Sequence, residues 1–178
     1  VVELYPNAAP VTVANHLAYV SSGFFDDLLF HRVVPGFVVQ GGGFASGLVQ
    51  KAPPYAPITL ESDNGLSNDR GTLGMARTSA ADSATSQFYF NLVNNVSLNY
   101  VNASSPGYAV FGKVLTGLSV VDAIAAVPTS GPNNVPVTDV KILEADQTRQ
   151  GTLHSTSGRI DIGILVAPPP TAWTGEPV

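Results

Sequence analysis

The chain has no cysteine, so disulfides, thiol nucleophiles and thiolate metal sites are excluded together. Charge is scarce as well. Asp, Glu, Lys and Arg make up 12% of the 178 residues, against about 25% in an ordinary soluble domain. Positive charge is scarcest, with eight Lys and Arg against thirteen Asp and Glu, for a net charge of −5. Without a cationic excess to neutralise phosphates, nucleic acid is not expected as a partner. No apolar run approaches the ~18 residues that a membrane-spanning helix needs, so no span is expected. The sequence also lacks a phosphate loop ending in Gly-Lys-Ser or Gly-Lys-Thr, a His-Glu-x-x-His motif and a Gly-x-Ser-x-Gly nucleophile elbow. His16, His31 and His154 have no metal-ligand spacing, so neither a metal nor any other cofactor is expected.

Seventeen Gly and fourteen Pro, dispersed along the chain, point to many turns and short strands rather than a helical bundle. Val1–Tyr5 reads as a strand. Pro10 to Ser22 reads as a helix: Pro suits the first turn, Val13, Leu17 and Val20 recur at helical spacing, and Gly23 stands where a cap belongs. His16 falls on this helix, where a surface or half-buried position is the default. A second helix is expected at Val120–Ala126, with Ser119 and Asp122 at capping-box spacing. Between them, Val33–Val39, Gly71–Ala76, Gln87–Leu92 and Ala109–Val114 are short apolar runs separated by turn signals such as Asn64-Gly65 and Pro106-Gly107. This spacing fits a mainly β barrel or sandwich whose two helices cover apolar surface. Gly41-Gly42-Gly43 fits a bend or close packing in a strand better than an anion site, because no strong helix follows. Composition changes after about Asp146, which divides the chain into a domain at 1–146 and an extension at 147–178. Within the extension, 159–166 alternates like a strand and 168–178 is a Pro-rich tail.

Two segments carry chemical information. Phe30-His31-Arg32-Val33-Val34-Pro35-Gly36-Phe37-Val38-Val39-Gln40-Gly41-Gly42-Gly43-Phe44 embeds one Arg and one Gln in an apolar strand pair around a Pro-Gly turn. A cation, an amide and a large aromatic on one apolar surface would make a small pocket with a fixed donor, although an Arg can also simply snorkel from a sheet edge. Gly71-Thr72-Leu73-Gly74-Met75-Ala76-Arg77-Thr78, followed by Ser83-Ala84-Thr85-Ser86-Gln87-Phe88-Tyr89-Phe90-Asn91, sets small residues beside an aromatic strand. That suits docking of an extended peptide through main-chain hydrogen bonds, or else is a core strand preceded by a Ser/Thr-rich turn.

These two segments, together with Gly107-Tyr108-Ala109-Val110-Phe111-Gly112-Lys113-Val114, resemble the cyclophilins, peptidyl-prolyl cis–trans isomerases, and most of all their bacterial branch with periplasmic members. The resemblance runs from Val1 to about Ala145. It implies a closed antiparallel β-barrel of about eight strands capped by two α-helices, and catalysis of rotation about X-Pro bonds in unfolded or extended polypeptides, assisting protein folding. By the same resemblance Arg32 would donate towards the prolyl nitrogen and Gln40 would hold Arg32. The proline ring would lie against Phe37, Val38, Tyr89 and Leu98. The peptide main chain would pass Ala76, Arg77, Thr78 and Gln87, with His31 and Tyr108 at the rim.

The chain departs from the family pattern in several places. Val38 and Tyr89 stand where many cyclophilins have Met and Phe, which implies a differently shaped and more polar pocket. Ser97 stands where an aromatic helps bind cyclosporin in eukaryotic members, so weak cyclosporin binding is expected. The family's strand before Val1–Tyr5 is absent here; either Arg159–Val166 pairs in its place or that strand lies outside this chain. Proline-containing peptides or unfolded proteins are the expected partners, and a monomer the expected state. Three Lys, no Cys and many Ser, Thr and Asn suit an exported, periplasmic protein, with the cytoplasm as the other reading. A non-catalytic peptide-binding or chaperone module using the same groove is the competing function.

Overall fold

Short strands broken by glycine and proline assemble here into one antiparallel sheet with a helix near each end of the chain's core region. The computed structural model describes residues 1–147 and 162–166. In chain order the elements are β1 (Val2–Leu4), α1 (Pro10–Ser21), β2 (Arg32–Val34), β3 (Val38–Gly41), β4 (Phe44–Ala45), β5 (Val49–Gln50), β6 (Thr72–Met75), β7 (Phe88–Asn91), β8 (Val110–Val114), α2 (Leu118–Ala125), β9 (Thr129–Ser130), β10 (Val135–Pro136), β11 (Ile142–Gln147) and β12 (Ile162–Val166). Eight of the strands form one sheet in the order β11-β12-β1-β8-β6-β7-β3-β2; β4-β5 and β9-β10 are separate two-stranded ribbons.

The sheet is mixed in sequence but regular in register. Val33, Val39, Phe90 and Leu73 stand directly opposite one another across β2, β3, β7 and β6. All four are buried, so this row is the inner face. Because side chains alternate along a strand, the neighbouring row must face the other way. Phe25, Phe30, Phe88, Phe111, Leu28 and Met75 complete the core, each burial being worth about 1.5–3 kcal/mol. Backbone bonds also join residues next to the two ends of the sheet order. The Asp27 N–H donates to the Ile142 carbonyl (2.8 Å), that of Ile142 to Leu28 (2.7 Å), and that of Phe30 to Val140 (2.8 Å).

Helix α1 lies where the proline and glycine signals place it. Gly23 (φ +62°) takes the left-handed conformation that ends it. Its first turn is capped from a distance, because Ala9 offers no side-chain acceptor. The Glu61 carboxylate accepts from the Val11 N–H (3.0 Å) and the Thr12 N–H (2.7 Å), which places a negative charge at the positive end of the helix.

Two expectations are corrected. His16 is not at the surface: it sits three residues after Val13 and four before Val20, on the helix's inner face, and is 2% exposed. The rings of Phe25, Phe88 and Phe111 surround it at 5.1–5.2 Å. Helix α2 starts at Leu118 rather than Val120, and Ser119 is not its cap. Gly117 (φ +85°) makes the entry with no side-chain cap bond, and Asp122 pairs instead with Arg70 at 2.8 Å.

The glycine run is a tightly packed strand end. A Cβ on Gly41 would lie 2.8 Å from Phe30 Cδ1, and Gly42 has φ +84° against Phe25 and Phe88. Strand β12 lies between β1 and β11 in the sheet order. It pairs along β11 (Ala145↔Ile164, Gln147↔Ile162) and meets β1 at Val2↔Ile162. The first residues of the expected 159–166 strand, the connector after Gln147 and the tail at 168–178 lie outside the described residues.

Candidate active site

The hairpin β2–β3 turns through Pro35, Gly36 and Phe37, with Gly36 at φ +72° and the Phe37 N–H donating to the Val34 carbonyl (3.0 Å), and this three-residue loop fixes its register. Arg32 is thereby placed directly opposite Gln40, Gln40 opposite Tyr89, and Tyr89 opposite Gly74. This row crosses four strands on the face opposite the core, over about 14 Å at the usual strand spacing.

Arg32 Nη1 donates to Gln40 Oε1 (3.2 Å), and Gln40 Nε2 donates to Gln87 Oε1 (2.9 Å). The two bonds are mutually dependent. With its nitrogen committed to Gln87, the Gln40 amide can offer only its oxygen to the guanidinium, so the pair fixes both side chains. A Cβ on Gly43 would lie 2.6–2.7 Å from Gln87 Cγ, Cδ and Nε2, so Gln87 occupies space that only glycine leaves open. The Arg32 guanidinium stands 5.9 Å from the centre of the half-buried Phe37 ring.

Arg32 differs from the other two arginines among the described residues. Arg70 gives one donor to the Leu92 carbonyl and a forked pair to Asp122. Arg77 gives its donors to the Gly107, Thr78 and Ser79 carbonyls and lies 4.6 Å over the Tyr108 ring. Among the described residues Arg32 bonds only to Gln40, while a guanidinium carries five N–H donors. A permanently charged donor is therefore held in place with capacity to spare.

The remaining expected site residues surround this row. His31 packs 4.5 Å from Phe44. Burial pushes its pKa down to about 4, and the Arg32 charge acts in the same direction. His31 is thus a neutral ring at pH 7. Tyr89 is buried, and burial pushes its hydroxyl above the ordinary phenol range, with Tyr108 adding to the shift and Arg77 opposing it. That hydroxyl donates to Asn68 Oδ1 at 2.7 Å, so the polarity expected of Tyr89 is taken up inside the protein. The Tyr89 ring lies so close to Gly74 that no Cβ could be added there. Tyr108 meets the edge of Tyr89 at 6.1 Å, and its N–H donates to the Leu98 carbonyl (2.9 Å).

Val38 shares this face but is 2% exposed, so it supports the wall more than it presents surface. Ala76 is joined to the strand beside it, its N–H donating to the Gln87 carbonyl (2.9 Å). Thr78 is turned into its own loop, its N–H and hydroxyl both bonded to Ser83 Oγ at 2.9 and 2.8 Å. Sequence reasoning missed Gly43, which seats Gln87, and Asn68, Asn91 and Asn95, which underlie the pocket. An Asn inside Asp63-Asn64-Gly65-Leu66-Ser67-Asn68 reads as a loop residue, and nothing local marks it as buried. Among the described residues no group of three or more His, Asp or Glu is placed to hold a metal ion.

The fold and this face together define a mainly β protein that sets one anchored cation beside an aromatic ring on the outer face of its sheet. Comparison with known proteins gives the family. The pattern of the cyclophilin type peptidyl-prolyl cis-trans isomerase/CLD family matches residues 1–147. A peptidyl-prolyl cis-trans isomerase of Acinetobacter baylyi is 52% identical over 147 residues, covering 80% of this chain and 76% of that one. Peptidyl-prolyl cis-trans isomerase B of Escherichia coli is 48% identical over 147 residues, covering 80% and 89%. A crystal structure of a Cryptosporidium parvum cyclophilin type isomerase, determined in the presence of the dipeptide Ala-Pro, superposes with TM-score 0.69 at 26% identity, over 80% of this chain and 88% of that one. The chain belongs to the cyclophilin-type peptidyl-prolyl cis–trans isomerase family.

Proposed function

We propose that the chain turns over X-Pro bonds in extended polypeptides at the row Arg32–Gln40–Tyr89, without a nucleophile. The X-Pro bond favours trans by only about 0.5–1 kcal/mol, so both isomers matter. What is slow is rotation, opposed by a barrier of about 18–20 kcal/mol that comes from nitrogen lone-pair donation into the carbonyl. A catalyst must therefore favour the twisted amide, in which the lone pair returns to a pyramidal nitrogen. Arg32 supplies a donor to that nitrogen, Gln40 and Gln87 hold the donor, and Phe37 and Leu98 receive the proline ring, with the buried Val38 and Tyr89 as the wall behind them. A preorganised donor of this kind is worth about 3–4 kcal/mol, or 10²–10³ in rate.

The observation that carries this reading is the held guanidinium with donors not spent on the protein, beside an aromatic wall. The competing reading, a groove that binds without turnover, makes no use of those donors. An NMR exchange experiment on an Ala-Pro peptide separates the two. Line-broadening of the cis and trans resonances at substoichiometric protein is expected; binding with uncatalysed exchange would favour the module.

Three finer points belong to the same proposal. The backbone bonds between residues 27–30 and 140–142 support closure of the eight strands into a barrel, with β12 covering the edges of β1 and β11. Exposed Ser97, in the place of an aromatic, supports weak cyclosporin binding. The lysine-poor, cysteine-free composition supports the exported bacterial branch.

A further inference from the structure

The sheet face that carries Arg32, Gln40, Tyr89 and Gly74 continues two residues further along the same strands into Val34, Val38, Asn91 and Thr72. The second part of this face is not open to solvent. Loops at 62–70 and 92–99 lie against it, and the polar groups that meet there are buried: Asn68 (1% exposed) and Asn95 (7%) from the loops, Asn91 (0%) and Thr72 (8%) from the strands. A buried polar side chain is costly unless its bonds are made, and here they are made to the pocket. Asn68 Oδ1 accepts from the Tyr89 hydroxyl (2.7 Å) and from Asn91 Nδ2 (3.2 Å). Asn68 Nδ2 donates to the carbonyls of Leu98 (3.1 Å) and Tyr108 (3.4 Å) and to Asn99 Oδ1 (3.2 Å). Asn91 Oδ1 accepts from Asn95 Nδ2 (2.7 Å), and the same Asn95 Nδ2 reaches the Phe37 carbonyl (2.9 Å). Asn91 Nδ2 also donates to Thr72 Oγ1 (2.9 Å), which anchors the chain of amides to β6.

We infer that Asn68 is a positioning residue for proline binding: one buried amide that sets the relative placement of Tyr89, Leu98 and Tyr108, and through Asn91 and Asn95 that of Phe37. These residues come from β7, from the Val96–Leu98 turn, from the loop before β8 and from the β2–β3 hairpin, four stretches that share no local sequence constraint. The amide is suited to the task because it offers an acceptor on one side and two donors on the other, and the structure uses both sides. Networks of this kind act as a unit in a low-dielectric interior. Asn68 has no bond to Arg32, Gln40 or Gln87. Its role is thus separable from that of the guanidinium: Asn68 governs how the ring is received, and Arg32 how the amide is twisted.

This inference rests on the isomerase reading of the groove, and its test keeps the two apart. Wild type, Asn68→Ala and the milder Asn68→Ser are compared in the NMR exchange assay on an Ala-Pro peptide, with peptide affinity measured by titration and folding checked by thermal melting. The expected result is peptide affinity weaker by roughly tenfold for Asn68→Ala, and less for Asn68→Ser, with kcat changed by less than about threefold. The amide resonances of Phe37, Tyr89, Leu98 and Tyr108 should shift in both variants. A lower melting temperature with wild-type affinity and kcat would overturn the inference, because Asn68 would then be structural only. A fall in kcat at unchanged affinity would overturn it too. Where neither variant folds, the Asn68 side-chain amide of the wild type is followed during peptide titration, and its failure to shift at saturation would count against the role. A wild type that binds peptide without accelerating exchange would remove the isomerase reading instead, whatever the variants do.

Discussion

Arg32 is distinguished less by its charge than by what it leaves unspent. Arg70 and Arg77 are committed to carbonyls and to Asp122, whereas Arg32, among the described residues, gives one bond, to Gln40. Another side chain, His16, is equally isolated but for a structural reason. It is enclosed by three phenylalanines, its Nδ1 has no hydrogen-bond partner among the described residues, and burial pushes its pKa down to about 3. The unfolded chain takes up a proton near pH 6.5, so between about pH 6.5 and 3 the unfolded state binds more protons than the folded one. Stability from this site is therefore complete above pH 6.5 and declines as the pH falls through that window. His31, depressed to about 4, acts in the same direction over a narrower range. We expect wild type to lose about 2 kcal/mol at this site between pH 7 and 5, and His16→Leu to flatten that part of the profile. Urea denaturation at the two pH values checks it; equal losses in wild type and variant would refute the burial argument.

At the scale of elements, the hairpin β2–β3 made much of the site legible in the sequence. Pro35-Gly36 marks the turn, but not its length: a two-residue turn would set Arg32 against Val39, and it is the third loop residue, Phe37, that brings Arg32 opposite Gln40 and Val33 opposite Val39. Helix α1 was legible for similar reasons, through Pro10 and Gly23. What failed did so where a local signal competed with a distant partner. Ser119 and Asp122 have capping-box spacing, but the left-handed Gly117 starts α2 earlier and Arg70 takes Asp122. The amide chain Asn68–Asn91–Asn95 was invisible because its logic is tertiary: each Asn satisfies a group from another stretch of chain. Gly43 belongs to the same class, since its neighbour Gln87 lies 44 positions on. A Gly43→Ala side chain would meet flexible Gln87 atoms rather than backbone, so the fold should survive while Gln87 moves and frees Gln40. Turnover of an Ala-Pro peptide should fall roughly tenfold, with a melting temperature close to wild type. Unchanged kcat/KM would show that Gln87 is not needed to hold the pair.

For the whole molecule, the sheet needs its edges covered, since unpaired strand edges invite association. Pairing with β12 covers the β1 edge and one side of β11, which leaves β11 and β2 as the ends of the sheet order. Hydrogen exchange on the full chain should find the Ile142–Gln147 amides that face β12 protected, and rapid exchange there would mean that β12 does not hold that position in solution. The low charge of the chain is consistent with a site whose work is done by one fixed cation rather than by a broad field. The most direct measurement is accordingly Arg32→Ala beside wild type in the NMR exchange assay on an Ala-Pro peptide. The account predicts a fall in kcat of about 10²–10³ with peptide binding retained; an Arg32→Ala protein that catalyses exchange as fast as wild type would contradict it.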